Sequence, residues 1–260
     1  MKTKLFTINS LYYTNYIMQK FIIPKTRILS SKISLTGQNA KHILKVLRKK
    51  KGDQIFITDG EGTDYNSIIT NTTTDVIEIK IIDKFESVTE SSIDITLCSG
   101  MLKNKKMDFI IKHVTQLGIQ KWIPFFCKRS IPVPDKKKIN TRKQRWKTIA
   151  KESLKQCNRS CLPQISEPVD FKTLMDQSKP PDLKIVFYEK SDQTIQTLRN
   201  TFSPEKIIIL IGPEGGFSED EILTAKQKGF VSIGLGPRIL RSETASITSC
   251  TLIQHIFGDI

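Results

Sequence analysis

Residues 206–244 read KIIILIGPEGGFSEDEILTAKQKGFVSIGLGPRILRSET, and the fold class turns on this stretch. Ile207–Ile211 is an unbroken apolar run, the pattern of a strand covered on both faces, as in a parallel sheet. It ends at Gly212-Pro213-Glu214-Gly215-Gly216, which neither prolongs a strand nor opens a regular helix. Ser218-Glu-Asp-Glu221 predicts a capping box, with Ser218 and Glu221 satisfying backbone donors reciprocally. Ile222, Leu223 and Ala225 give the helix an apolar face, and Gly229 suits its C′ position. A second short strand, Phe230–Leu235, runs into Gly236-Pro237. Two successive strands therefore end in glycine-proline loops, and the carboxyl ends of parallel strands are where open α/β sheets bind ligands.

Working outward, Leu183–Tyr188 is a further buried strand ending in Glu189-Lys190, and residues 160–183 form a proline-containing connection with a short helix. Met107, Ile110, Ile111, Val114 and Leu117 mark one helical face that ends at Gly118. The apolar strands Ile93–Leu97 and Trp122–Phe126 flank that helix, and strand–helix–strand spacing implies a parallel sheet. The loop Gly100–Lys106 between strand and helix carries three lysines. Upstream of about residue 90 the pattern changes to a small β-rich module. Gln54–Gly60 and the alternating Val76–Ile82 read as strands, and a short helical pattern spans Thr36–Arg48 before the basic run Arg48–Lys51. Residues 1–17 hold no continuous apolar segment of signal-peptide or membrane-spanning length, and read as an extension or a mis-assigned start before Met18. The expected division is 1–17 extension, 18–90 β module and 91–260 α/β domain.

The 260 residues carry 41 Lys+Arg against 26 Asp+Glu, a net charge of +15. Such a surplus points to a polyanionic partner, because neutralising phosphates releases condensed counterions. Its distribution supports nucleic acid. Lys128–Arg159 holds twelve Lys/Arg against Asp135 and Glu152 alone. Trp146, Ile149, Ala150 and Leu154 mark its buried stripe, so the basic residues fan over the opposite face. A merely solvated helix would carry Glu partners four residues away. The five cysteines are odd in number and scattered, which argues against a disulfide framework and fits a reducing cytosol better. Cys157-x-x-x-Cys161 has no second pair, and the three histidines are dispersed, so no metal site is expected. The glycine loops match neither G-x-G-x-x-G nor a GK[ST] loop. An isolated GPEGG is also explained by tight turns alone. The second Gly-Pro at 236–237, followed by Arg238 and Arg241, favours a nucleotide-like pocket read by main-chain groups.

Leu210–Ser218 and Leu235–Ala245 resemble the paired signatures of the RsmE family, S-adenosylmethionine-dependent methyltransferases acting on N3 of a uridine in 16S ribosomal RNA. The resemblance extends over nearly the whole chain from Met18, through His42-x-x-x-Val46-Leu47-Arg48, Gly52-Asp53, Lys106-Met-Asp, Thr115-x-Leu-Gly118, Arg129-Ser130, Arg145-Trp146, Glu152 and Gln156-x-x-Arg159. Three positions depart from it: Ser242 stands for the usual Thr, and Lys20 and Lys41 stand where Arg and His are expected. The resemblance implies a PUA-like β-barrel domain followed by a SPOUT-class α/β domain with a C-terminal trefoil knot. It also implies a cytoplasmic homodimer that acts on small-subunit ribosomal RNA, in the assembled 30S subunit, with no membrane and no metal. The cofactor, S-adenosyl-L-methionine, is expected at Ile211, Gly212, Pro213, Glu214, Gly215, Gly216, Leu235, Gly236, Arg238, Ile239, Leu240, Glu243 and Thr244. Arg129, Arg159 and Arg241 are candidates for stabilising a uridine anion, with Glu152 as an orienting or proton-accepting group. Lys20, Arg48, Lys49, Lys50, Asn104 and Arg145 are the expected RNA contacts. The target N3 lies on the Watson–Crick edge, so the base must be unpaired or flipped out. The alternatives are a non-catalytic RNA-binding assembly factor and a methyltransferase of ribose 2′-OH.

Overall fold

The computed structural model describes residues 20–28, 30–130, 136–177, 182–199 and 201–260. The proposed extension 1–17 lies outside them. The chain forms two compact units. The first comprises residues up to Glu90 together with Leu154–Leu162, and the second Ser91–Ser153 with Pro163–Ile260. The excursion of 154–162 into the first unit is absent from any linear division at residue 90.

In the first unit, β1 (Lys20–Ile22), β2 (Lys32–Thr36), β3 (Gln54–Thr58), β4 (Thr63–Thr72) and β5 (Val76–Glu86) form one sheet in the order β1-β3-β4-β5-β2. Only the β1–β3 pair is parallel. β4 and β5 pair over most of their length, with register shifts at Asn66/Ser67 and Ile69/Asn71 that bend the ribbon. The alternation read in Val76–Ile82 is real: Ile77 and Ile79 are fully buried, while Glu78 and Lys80 face solvent. They join Phe21, Ile33, Leu35, Ile55, Ile57 and Ile69 in a single core. The expected helix at 36–48 is split into α1 (Gly37–Lys41) and a π turn, His42–Val46, closed by the Leu47 N–H donating to His42 O. A buried polar network crosses this unit. The Lys20 ammonium donates to Asp64 Oδ2 at 2.6 Å, Asn158 O at 2.9 Å and Ser160 Oγ at 3.0 Å.

The second unit contains β6 (Asp94–Gly100), α2 (Asn104–Gln116), β7 (Lys121–Phe126), α3 (Lys136–Cys157, whose last turn belongs to the first unit), β8 (Gln164–Ile165), β9 (Val169–Asp170), α4 (Phe171–Gln177), β10 (Leu183–Phe187), α5 (Gln196–Arg199), β11 (Lys206–Ile211), α6 (Glu219–Gln227), β12 (Val231–Ile233) and α7 (Ser242–Phe257). All its strand pairs are parallel, in the order β12-β10-β11-β6-β7-β8, with β9 also on β7. β11 shows why its sequence is a continuous apolar run. Ile207, Ile209 and Ile211 enter the core that holds Ile110 and Val114 of α2, Trp146 of α3 and Cys250 and Ile253 of α7. Leu210 and Ile208 face the opposite core, with Phe125, Phe217, Ile222 and Phe230. Both faces of the strand are therefore dry.

The capping box forms: the Glu221 N–H donates to Ser218 Oγ, and the Ser218 N–H donates to Glu221 Oε2. Gly229 takes the left-handed C′ conformation at φ +84°. Among the described residues no helix is long and apolar enough to cross a membrane.

Candidate functional site

The carboxyl ends of β10, β11 and β12 open onto one cleft of about 630 Å³. Phe187, Tyr188 and Glu189 line it from β10, Ile211–Phe217 from β11, and Leu235, Gly236 and Arg238–Arg241 from the segment after β12. Ser242 and Ala245 come from the first turn of α7, and Lys106 from the first turn of α2.

Three contacts fix the GPEGG loop. Ser242 Oγ donates to Gly212 O at 2.6 Å, tying α7 to the end of β11. The Ser242 hydroxyl thus has a defined partner. Arg129 Nη1 donates to Gly215 O at 3.1 Å and Phe217 O at 3.3 Å. The Gly216 N–H donates to Pro213 O at 2.9 Å, with Gly216 at φ +67°. Beneath the loop the Phe217 ring stacks on Phe125, centroids 6.2 Å apart at 6°. A Cβ on Gly212 would come within 3.1 Å of the Phe217 ring, so glycine lets main chain alone form the wall.

Charge in the cleft is arranged rather than scattered. Lys106 Nζ lies 2.5 Å from Glu214 Oε1 and 3.4 Å from Glu243 Oε1. The hydrogen bond that Lys106 donates to Glu214, reinforced by the Glu243 charge, raises the lysine pKa, so it stays an ammonium. Glu243 Oε2 is buried, with no hydrogen-bond partner among the described residues. Burial pushes the Cys98 and Cys250 thiols up to about 12 and Cys161 to about 11, which rules them out as thiolate nucleophiles near neutral pH. Among the described residues no three His, Cys, Asp or Glu side chains gather as a metal would need.

The expected site residues divide clearly. Ile211–Gly216, Leu235, Gly236, Arg238, Ile239, Leu240 and Arg241 all line the cleft. Glu243 and Thr244 do not: Glu243 backs Lys106, and Thr244 is exposed on α7. Arg129 braces the loop through its carbonyls and does not line the cleft. Glu152 is exposed on α3 and is not among the lining residues either. Arg159 is 2% exposed within the first unit, donating to Glu90 Oε2 from Nε at 3.1 Å and Nη2 at 2.7 Å. A guanidinium already satisfied by a half-buried carboxylate has little to offer a uridine anion, so the catalytic role expected of Arg159 is replaced by a structural one. Lys106, Phe187, Tyr188, Glu189, Phe217, Ser242 and Ala245 also line the cleft and were not among the expected site residues. The signal available for Tyr188-Glu189 was their place at the end of a parallel strand.

Of the expected RNA contacts, Arg48 and Lys50 are exposed and Lys49 is half-buried, around a turn where Arg48 adopts φ +52°. Arg145 is exposed but paired with Asp108 at 2.7 Å, and Lys143 pairs with Glu167 at 3.1 Å. The carboxylates missing from the basic helix are thus partly supplied from elsewhere in the fold. Asn104 opens α2, and its side chain lies outside the described ones. Lys20 is 6% exposed and fully engaged by Asp64, Ser160 and Asn158, so it is a buried strut and not an RNA contact. Replacing both members of the pair, Lys20→Met with Asp64→Leu, is expected to leave the salt dependence of RNA binding unchanged. Loss of a phosphate contact would instead reduce its log–log slope by about one, which fluorescence anisotropy across a salt series distinguishes.

The profile of the RNA methyltransferase domain matches residues 89–254, and that of the RNA methyltransferase PUA domain matches residues 35–82. The ribosomal RNA small subunit methyltransferase E of Bacillus subtilis is 31% identical, over 92% of this chain and 96% of its own length. The chain belongs to this RNA methyltransferase family. Another member, from Buchnera aphidicola of Schizaphis graminum, is 38% identical over 88% of this chain and 92% of its own. Among solved structures, the Neisseria gonorrhoeae ribosomal RNA small subunit methyltransferase E bound to S-adenosyl methionine superposes with a TM-score of 0.83 at 26% identity, covering 94% of this chain and 99% of that one. Family membership makes the chain an RNA methyltransferase with a PUA-type first unit.

Proposed function

We propose that the protein transfers a methyl group from S-adenosyl-L-methionine to N3 of a uridine in small-subunit ribosomal RNA. One observation carries the reading: two glycine-proline loops, at the carboxyl ends of β11 and β12, face each other across a single cleft. The residues fit the donor. Main chain unobstructed by Cβ at Gly212, Gly216 and Gly236 offers N–H and C=O groups to an adenine edge, and Ile211, Leu235 and Leu240 offer apolar contact. Glu189 suits hydroxyl and ammonium groups, and Arg238 and Arg241 suit a carboxylate. When bound, the sulfonium supplies an activated methyl group, which leaves the protein with positioning and electrostatics.

The same reading gives a trefoil knot formed by the segment between β12 and α7, whose first residue is tied to the GPEGG loop. It gives a homodimer as well, supported by Ile239, which is 86% exposed at the cleft. It assigns the assembled 30S subunit as substrate and the cytoplasm, where ribosomes are built, as the place of reaction.

Calorimetry on the purified protein should show saturable S-adenosylmethionine binding; a flat titration removes the enzyme reading and leaves the non-catalytic assembly factor. Primer extension on ribosomal RNA from cells with and without the protein should show one stop that depends on it, because an N3-methyl blocks Watson–Crick pairing. Nucleoside mass analysis that finds the methyl on ribose would transfer the assignment to 2′-OH.

A further inference from the structure

Methylation at N3 requires the loss of a proton that the donor cannot accept, and none of Arg129, Arg159 and Glu152 lines the cleft. Two carboxylates do, Glu189 and Glu214. Glu189 is exposed, and no hydrogen bond to its side chain is present among the described residues. Glu214 is different in three respects. It sits on the loop braced by Ser242 at Gly212 O and by Arg129 at Gly215 O. Its Oε1 is held by the Lys106 ammonium, leaving Oε2 as an acceptor. Lys106 is in turn backed from α7 by Glu243, so the pair is gripped between β11, α2 and α7.

Resting on the methyltransferase reading, we infer that Glu214 is the base that takes the uridine N3 proton and that Lys106 positions it. In the balanced step the N3–H proton moves to a Glu214 carboxylate oxygen. The N3 electron pair forms the new N–C bond, and the electron pair of the broken C–S bond stays on sulfur. Glu214 then returns its proton to water at the open mouth of the cleft. Charge is conserved locally: Lys106 with Glu214 and Glu243 starts at one net negative charge, and the proton's arrival removes it as the uracil oxygens become electron-rich. An ammonium directed at that spot needs no reorganisation when the charge appears. The bland alternative is a rim ion pair, which contributes little to stability and nothing to rate.

The distinguishing experiment measures single-turnover methylation of small-subunit RNA against pH for wild type, Glu214→Gln, Lys106→Met and Lys106→Arg. S-adenosylmethionine affinity is taken in parallel by calorimetry. Glu214→Gln keeps the shape and is expected to lose about 100-fold or more in rate near neutral pH. Its rate should rise about tenfold per pH unit towards about pH 9, as hydroxide takes over the proton. Lys106→Met should lose roughly tenfold or more, while Lys106→Arg, which keeps the cation, recovers most of the rate. Donor affinity in all three should stay within about fivefold of wild type. A Glu214→Gln deficit that is independent of pH, an unchanged rate, or a donor affinity that collapses in place of the rate each overturns the assignment. A wild-type protein that binds the donor yet methylates no RNA removes the methyltransferase reading itself, and the inference with it.

Discussion

Replacing Gly100 by alanine is expected to abolish tight S-adenosylmethionine binding while leaving most of the fold in place. Gly100 ends β6, and its Cα faces the turn out of β11. A Cβ there would meet Pro213 N at 2.4 Å, Pro213 Cδ at 2.6 Å and Gly212 C at 2.9 Å. Two of these three atoms are main chain and the third belongs to a rigid ring, so no side-chain rotation relieves the clash. Moving β6 is costly, because Cys98 and Ser99 pair with Leu210 and Ile211 in the sheet centre. The GPEGG loop must therefore yield, and with it the wall of the cleft. Overpacking of this kind costs about 1–3 kcal/mol of stability, and every 1.4 kcal/mol diverted from the bound loop geometry weakens affinity about tenfold. A fall in affinity of roughly 100-fold by calorimetry, beside a loss of about 1–3 kcal/mol in denaturant unfolding, is the expected pair of results. Gly229→Ala, away from the cleft, is the internal control. Nothing lies within 4 Å of its Cβ, but φ is +84°, so only the backbone penalty of about 1–2 kcal/mol applies. Donor affinity in Gly100→Ala equal to wild type would show that the loop shape at Pro213 does not matter for binding.

Gly100 also illustrates what could not be read from the sequence. Its neighbour Pro213 is more than a hundred residues away, and nothing local distinguishes a glycine at a strand end from one in a turn. What was legible is what obeys a short period or a local rule. The apolar run of β11, the Ser218–Glu221 box, the Gly229 C′ residue and the buried stripe Trp146-Ile149-Ala150-Leu154 all depend on residues within about two turns of one another. β1 and β2 were not read: both are short edge strands, β1 has three residues, and the alternation of β2 rests on Ile33 and Leu35 alone. α7 escaped because its buried face is rich in serine: Ser242, Ser246 and Ser249 send their hydroxyls to Gly212 O, Ser242 O and Ser246 O. In the site, glycines and prolines announced the loops, because a backbone requirement is written in residue type. Lys106 and Glu214 did not announce their pairing, which depends on α2 beginning next to the end of β11. Lys20 and Arg159 misled for a related reason. A cation in a basic protein reads as a contact for the substrate's anionic groups until its carboxylate partner, 44 residues away for Asp64 and 69 for Glu90, is seen.

Because Glu90 is the partner of a buried cation, Glu90→Ala is the substitution with the largest expected loss of stability. Glu90 accepts four hydrogen bonds: from Arg159 Nε and Nη2, and from the Ser160 and Cys161 N–H groups at 2.6 and 2.9 Å. Through them the stretch Leu154–Leu162 is held into the first unit, where the Ser160 hydroxyl also donates to Asp64 Oδ1 at 2.6 Å. Alanine removes the counter-charge of a guanidinium that is only 2% exposed and orphans two backbone donors together. Breaking one side of a buried pair costs about 3–5 kcal/mol. Glu90→Gln keeps an acceptor oxygen and should lose only about 1–3 kcal/mol. Chemical denaturation followed by circular dichroism tests the order wild type, Gln, Ala. If Arg159 instead served the uridine anion, Arg159→Met would depress the methylation rate of fully folded protein by more than its stability explains. The buried geometry requires the opposite: the rate per folded molecule is retained, and the unfolding midpoint falls. Arg159→Met combined with Glu90→Leu should recover part of the stability lost in Glu90→Ala, because no charge is then left stranded. The recovery stops short of wild type, since the Ser160 and Cys161 N–H groups still lack the carboxylate that both of them share.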